Sequence, residues 1–316
     1  MFYKKLLKIL AVFFCAAGIY WALKDQNFQL LQALNWQNIL FCSGMIVFGY
    51  FFSGLQYYLV LHKMGCPMVK SDTLFFPFMQ SFWGVVIPFQ GTVMFAMFYL
   101  KKRYQFQVKE SITMILFLYM FSVLFASFAG IWYSVRYLGC NTLFFWLSLF
   151  ALLSPLYCFA AHKIMQKYGR IPFLPAKVNN FMAAFFSGIH DLLTDWKNIL
   201  LLLGCQLMRQ ICYAFIFVQL ARSLDNPVPW LWGYLVTVSQ ELSIILRFTP
   251  GNMGLAEMVS GFVSSLTGIP AAVGINVSLF NTLLQILIIL LIGGGGSYFI
   301  LGKNFRIAKE IKENQE

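Results

Sequence analysis

The stretch TLFFPFMQSFWGVVIPFQGTVMFAMFYL, residues 73–100, carries no charge and is long enough for one membrane span, yet Pro77, Gly84, Pro88 and Gly91 interrupt it. Proline removes a backbone donor and its ring clashes with the preceding turn, and glycine weakens a helix interior. Split there, each part holds about 12–14 residues, or roughly 20 Å at 1.5 Å per residue, short of the ~30 Å hydrocarbon core. The pattern predicts two half-helices forming a re-entrant hairpin that returns to the face it left.

The surrounding sequence makes a membrane the relevant solvent. Of 316 residues, 60% are hydrophobic and 11% charged, against about 25% charged in a soluble domain. A soluble fold could not cover so much apolar surface, because much of any globular exterior must be polar. The expected fold is an all-α polytopic membrane bundle of about eight helices, one integral membrane domain over 1–316. Spans are predicted at about 6–23, 37–61, 111–135, 141–161, 198–221 and 228–246. Residues 162–180 form a basic, proline-containing cytoplasmic linker, 181–196 an interfacial amphipathic helix, and 303–316 a cytoplasmic tail. From Met258 to Gly302 there is again no charge. A short helix at about 255–267, a turn at 268–270 and a long last helix fit that run. The basic, apolar beginning MFYKKLLKILAVFFC has bulky Phe14 where a cleavage site needs a small residue, which favours a retained first helix.

The net charge of +12 is mostly orientation. With the N-terminus inside and both broken regions beginning and ending inside, nineteen Lys and Arg fall on that face. Lys24, Arg136 and Arg222 fall on the other, and Arg209 lies within a span. This positive-inside bias supports an even number of crossings with both termini cytoplasmic. A single crossing by 73–100 would invert every later loop and destroy the bias. No compact basic domain remains for nucleic acid. Seven of the eight Trp fall near predicted span ends, as an interfacial belt requires, and Trp83 is the exception.

The two broken regions also read as a weak internal repeat, with halves at 1–161 and 181–302. Setting Gly91 on Gly254 places Phe117 on Phe280 and Gly130 on Gly293. Paired interruptions in two halves point to a transport site near the midplane.

Charge inside a bilayer is costly, so each instance needs a reason. Arg209 sits mid-span beside Gln206 and Gln210. It is either an anion-binding guanidinium facing a cavity or one half of a structural ion pair with Glu241. Arg247, near a predicted cytoplasmic end, reads first as a snorkelling anchor. TPGNMGLAE, residues 249–257, is the most informative stretch. Pro250 and Gly251 stop one helix, Gly254 permits a tight backbone, and the next helix starts with free N–H groups aimed into the break. Such an N-terminus suits an anionic head group. Glu257, in its first turn, either complements the helix dipole or serves as a gate or a partner for a basic residue. Pro88 and Gly91 are the counterpart break, read equally as a kink or a site. Asn276, Asn281 and Gln285 either line a path or hydrogen-bond between helices. The glycines at 293–296 suggest close helix packing.

Enzyme motifs are missing: there is no HExxH, no P-loop, and no GxSxG with a suitable His. No enzymatic activity is expected, although Glu241 and Glu257 together make an intramembrane acid/base pair conceivable. The seven scattered Cys have no CxxC and read as small buried hydrophobes. No metal or cofactor site is expected.

At TPGNMGLAE the sequence resembles the flippase-like transmembrane region of lysylphosphatidylglycerol synthases, which also occurs as stand-alone membrane proteins. That family shows a TPGGxGxxE-like stretch, an apolar helix, a Gly turn and a long last helix. Thr249, Pro250, Gly251, Gly254 and Glu257 match it, and Gly268 fits the turn. Pro88, Gly91 and the LHKMGC stretch at 61–66 match its earlier motif loosely. Asn252 stands where Gly is usual, and Asn281 where an Arg is often found. The resemblance implies movement of an anionic or lipid-linked molecule between leaflets of the cytoplasmic membrane. Implied partners are an anionic phospholipid or a polyprenyl-linked sugar lipid, with a cell-envelope biosynthetic enzyme or a second copy of the chain as protein partner. Together with the membrane charges, this makes Arg209, Glu241, Arg247, Thr249, Pro250, Gly251, Asn252, Gly254, Glu257, Pro88, Gly91 and Asn281 the candidate substrate-binding residues. Lysyl transfer is not expected. A secondary transporter of a small soluble anion and a non-catalytic partner of a glycosyltransferase or lipid synthase are the alternatives. A closed, water-filled cavity would favour the soluble anion, and a lateral opening between helices would favour the lipid.

Overall fold

The computed structural model describes residues 35–87, 91–139, 145–146, 148–150, 152–153, 195–243 and 254–300, with isolated positions between 163 and 192. All regular structure among them is helical. The expected first span (6–23), the linker (162–180), the tail (303–316) and most of 141–161 lie outside the described residues.

The helices are α1 (Trp36–Lys63), α2 (Lys70–Val86), α3 (Gly91–Tyr104), α4 (Val108–Tyr133), α5 (Trp196–Ser223), α6 (Trp230–Ser243), α7 (Leu255–Leu266) and α8 (Ala271–Ile288). Wider π-type turns extend α4 through Ser134–Leu138 and α8 through Ile289–Gly294, and α8 resumes to Ile300. Among the described residues, α1, α4, α5 and α8 are long and apolar enough to cross a membrane. Their outward faces stay apolar. Leu40, Phe48, Phe128, Leu201 and Leu291 are all exposed, a surface that suits lipid rather than water.

The two 28-residue helices α1 and α5 pack antiparallel at the centre. At one end Lys63 Nζ meets Asp195 Oδ2 at 3.3 Å. Near the middle Gly49 faces the Tyr213 ring. At the other end Asn38 donates to Ser223 Oγ at 2.7 Å. These three contacts give the bundle an axis along which the other elements can be placed.

α2 and α3 form the hairpin expected from residues 73–100. Its open end is fastened where Asp72, in the first turn of α2, meets Tyr99, Arg103 and Tyr104 in the last turns of α3. The first half-helix is longer than expected, 17 residues instead of about 12–14, because it begins at Lys70 and runs through Pro77 and Gly84. Pro77 leaves the carbonyl of Thr73, four residues back, without its intrahelical donor. That same carbonyl lies against Gly54 of α1, where a Cβ would come within 2.1 Å of it. Only a glycine lets α1 close on α2 at this point. The helix ends at Ile87, whose backbone is extended.

The second broken region departs from expectation. Its short helix α7 pairs with α6, not solely with the last helix. Trp232 at the beginning of α6 donates through Nε1 to Ser264 near the end of α7, at 3.0 Å. This hairpin therefore opens beside Ser223, whereas the first opens beside Lys63. The two hairpins open at opposite ends of the α1–α5 pair.

The same geometry corrects Trp232, expected in an interfacial belt. It is 1% exposed and packs in the core. Trp36, Trp132, Trp146 and Trp196 are exposed, as a belt requires. Trp196 opens α5 rather than closing an interfacial helix, because the Asp195 carboxylate caps α5 by accepting from Asn198 N.

Order and length recur along the chain: long helix, hairpin, long helix ending in a π turn, twice over. Packing is reciprocal. α2 lies against the end of α8, and α6 lies against α4. At the first of these contacts a Cβ on Gly293 would sit 2.4 Å from Phe78 O, so the glycines of α8 do serve close packing.

Candidate functional site

One face of α5 presents Gln206, Arg209 and Gln210, spaced three and four apart so that they share a side of the helix. Arg209 is the fourteenth residue of 28, near 20 Å from either end of α5. Glu241 of α6 faces this group. Arg209 Nη2 donates to Glu241 Oε1 at 2.6 Å, to Ser122 Oγ of α4 at 3.1 Å and to Gln206 Oε1 at 3.1 Å. Gln206 Nε2 and Gln210 Nε2 donate to Glu241 Oε2 at 3.0 and 2.7 Å. Gln56 of α1 donates to Gln206 Oε1 at 3.0 Å, and the Tyr234 hydroxyl donates to Gln210 Oε1 at 3.2 Å.

Gln206 and Gln210 are fully buried, Glu241 is 7% exposed, and Arg209 Nε is buried with no hydrogen-bond partner. The network thus ties α1, α4, α5 and α6 together at mid-height. The Arg209–Glu241 ion pair that the sequence offered as one alternative is formed. A buried pair gains only where additional hydrogen bonds satisfy its remaining lone pairs, and the two glutamines supply those for Glu241.

Beside the network is a groove of about 520 Å³ lined by Phe125, Phe128, Ala129 and Trp132 of α4, Leu203 of α5 and Tyr234 of α6. Its lining is almost wholly apolar, and Phe128 and Trp132 stand exposed on the flank of the bundle. Tyr234 belongs to both features: its ring lines the groove while its hydroxyl reaches Gln210.

A second polar cluster lies on the other side of α6. Gln240 Nε2 donates to Ser260 Oγ of α7 at 2.9 Å and to Ser278 Oγ of α8 at 2.8 Å. Glu257, in the first turn of α7, accepts from Gly254 N at 2.6 Å and from Thr282 Oγ1 of α8 at 2.8 Å. Gly254 adopts φ +86°, a left-handed conformation that glycine takes without the Cβ penalty. Glu257 thus caps its own helix, and no basic residue pairs with it among the described residues. Asn281 is 1% exposed, and its Oδ1 receives no donor.

The structure brings Arg209 to Glu241, and Gly254 and Glu257 onto α7 facing the α8 helix that carries Asn281. Gly91 belongs to the other hairpin, opening α3 against the Trp83 carbonyl. Pro88, Arg247, Thr249, Pro250, Gly251 and Asn252 lie outside the described residues. Sequence reasoning missed Asp72, a fully buried carboxylate held by Arg103, Tyr99 and Tyr104. The sequence reading weighs only Glu241 and Glu257 as membrane acids. A usable signal was present, since oppositely charged Asp72 and Arg103 flank the broken run on either side.

Among the described residues no group of three His, Cys, Asp or Glu is placed to hold a metal ion. Cys42, Cys66, Cys205 and Cys212 are buried free thiols, consistent with their reading as small hydrophobes.

The model of the family described as "Lysylphosphatidylglycerol synthase TM region" matches residues 6–293. The chain belongs to that family. The match runs through both hairpins and the mid-bundle network, so the family signature is spread over the whole membrane region and not confined to TPGNMGLAE. No curated protein and no solved structure matches the chain.

Proposed function

We propose that this protein moves an anionic lipid, either a phospholipid or a polyprenyl-linked sugar precursor, between membrane leaflets. The observation that carries this reading is the apolar groove joined through Tyr234 to the Arg209–Glu241 network. An acyl or prenyl chain matches the groove's chemistry, and a phosphate matches the guanidinium's. The groove's lining comes from α4, α5 and α6, and its Phe128 and Trp132 stand exposed on the apolar flank, which favours a lipid over a small soluble anion.

In this mechanism Arg209 exchanges partners. A phosphate displaces Glu241 from the guanidinium, and the Gln206 and Gln210 amides continue to donate to the released carboxylate, so Glu241 is not orphaned. The two hairpins, opening at opposite ends and read as re-entrant, are the halves of an inverted repeat around a midplane site. The protein lies in the cytoplasmic membrane with both termini cytoplasmic, and its action is non-covalent. A cell-envelope enzyme that makes or consumes the lipid is its functional partner.

The test uses full-length protein reconstituted in vesicles with a fluorescent anionic phospholipid, with leaflet exchange read by quenching from outside. Arg209→Ala should slow exchange by about 10- to 100-fold, the worth of one charge-assisted contact. Arg209→Lys should recover part of the rate. If both variants exchange lipid at the wild-type rate, the assignment fails.

A further inference from the structure

Arg209 Nη2 holds Glu241 Oε1 at 2.6 Å, so a phosphate that reaches the guanidinium arrives beside a carboxylate already there. Two anions on one cation repel each other strongly in a low-dielectric interior, and hydrogen bonds from neutral amides do not cancel the second charge. A proton on Glu241 does cancel it, provided the network can hold a carboxyl without orphaning a donor or an acceptor.

Gln210 and Tyr234 supply that arrangement. As found, the Tyr234 hydroxyl donates to Gln210 Oε1 at 3.2 Å and Gln210 Nε2 donates to Glu241 Oε2 at 2.7 Å, a chain of donors running from the groove toward the carboxylate. A half-turn of the Gln210 amide exchanges its oxygen and nitrogen with little movement of either position. A protonated Glu241 Oε2 then donates to Gln210 Oε1, at a separation that suits an O–H···O bond. Gln210 Nε2 donates to the Tyr234 oxygen, because a hydroxyl both donates and accepts. Gln206 Nε2, 3.3 Å from Glu241 Oε1, keeps that oxygen satisfied. The Tyr234 hydrogen is released for an acceptor at the groove that its ring lines. Reversed in this way, the network offers a headgroup two donors, Arg209 and Tyr234, where the ionised network turns both inward.

Around Glu241, α5 brings Arg209, Tyr213 and the Cys212 thiol, α1 brings Tyr50 and α6 itself brings Tyr234. α4 brings Ser122, with Tyr119 one turn away. Glu257 of α7 is bonded to Thr282 of α8, and α8 carries no ionisable side chain. Glu241 is the one carboxyl among the described groups of this network, and tyrosines stay neutral between about pH 5 and 8.

We propose that binding of the lipid phosphate at Arg209 is coupled to uptake of a proton by Glu241, with the Gln210–Tyr234 chain reversing to accommodate it. The proton comes from water, forms an O–H bond on Glu241 as the phosphate takes the guanidinium, and returns to water when Arg209 recovers the carboxylate. This coupling rests on the lipid reading and makes H⁺ the ion that accompanies the cargo.

Full-length protein is reconstituted in phosphatidylglycerol vesicles, and leaflet exchange of a fluorescent phosphatidylglycerol is followed at equal internal and external pH between about 5 and 8, with the protein-free rate subtracted. Wild-type exchange should rise as pH falls, by up to about tenfold per unit, the limit for one proton per lipid. Glu241→Gln, a neutral side chain of the same shape, should still exchange lipid but lose that slope. Tyr234→Phe keeps the ring and removes the acceptor for the reversed Gln210 amide, so its rise should move to lower pH. A wild-type rate independent of pH, a slope kept in Glu241→Gln, or a Glu241→Gln protein that exchanges no lipid at any pH overturns the coupling, while exchange that depends on Arg209 leaves the lipid reading standing. A Tyr234→Phe profile identical to wild type overturns the reversing chain. Exchange at the wild-type rate in Arg209→Ala removes the lipid reading and this coupling with it.

Discussion

The two hairpins solve the problem of a broken helix in different ways. In α2–α3 the ionisable groups lie at the open end, where Asp72 and Arg103 neutralise each other within the hairpin. The contact between its halves is aromatic: Trp83 stacks on Phe95, and Phe76 packs at a tilt against Phe95 and Tyr99. In α6–α7 both acids lie toward the far ends of their helices from the opening, and the halves meet through Gln240, Ser260, Trp232 and Ser264. Among the described residues Glu241 pairs with Arg209, which lies outside the hairpin. The buried acid of the first hairpin is paired within that hairpin, and the acids of the second are bonded to neighbouring helices.

Four substitutions would break or sharpen this contrast. The largest effect belongs to Asp72→Ala, which leaves the Arg103 guanidinium and two tyrosine hydroxyls without their common acceptor. It should destabilise the protein by about 3–5 kcal/mol in a thermal melt. A stable Asp72→Ala protein would remove the brace from the comparison. Glu241→Gln should cost less, about 2 kcal/mol, because Arg209 keeps Ser122 and Gln206 as acceptors. Its signature is a larger change in lipid exchange than in Tm. Trp232→Phe, which keeps one aromatic ring in the core and deletes the bond to Ser264, should lower stability by about 1–2 kcal/mol. Failure to do so would mean that the second hairpin does not rely on that bond.

The smallest effect belongs to Asp195, at the exposed end of the α1–α5 pair. Its carboxyl is held below the usual range, first by the Asn198 backbone N–H and then by Lys63. A depressed folded-state pKa contributes stability above the unfolded value, and that contribution is lost as pH falls through the folded one. Asp195→Ala should therefore melt slightly below wild type at neutral pH and level with it in acid. A gap that persists in acid would point to packing instead of charge.

Composition and the proline-glycine interruptions were enough to identify an all-helical membrane chain, because the bilayer admits few other ways to satisfy a backbone. The family was legible from Thr249, Pro250, Gly251, Gly254 and Glu257. The hairpin at 73–100 was legible as a hairpin, although Pro77 was overweighted as a breaker, since a neighbouring glycine lets α1 pack around it. The pairing of α6 with α7 was not legible. Periodicity shows that a helix exists and not which helix it folds against. Trp232 was misplaced for a related reason: closeness to a span end does not distinguish a side chain facing lipid from one facing Ser264. At the candidate site, the partner of Arg209 was named from the sequence. The glutamines that complete its bonding were noticed only as neighbours on α5, because Gln56 lies 150 positions from Gln206.

Gln240 and Glu241 are consecutive residues, so on a helix their side chains diverge by about 100°. Glu241 is bonded to α5, and Gln240 to α7 and α8. A twist of α6 about its own axis cannot loosen one set of bonds without loading or releasing the other. α6 is thus the one helix shared by both polar clusters, the Arg209 network on one side and the serines of α7 and α8 on the other.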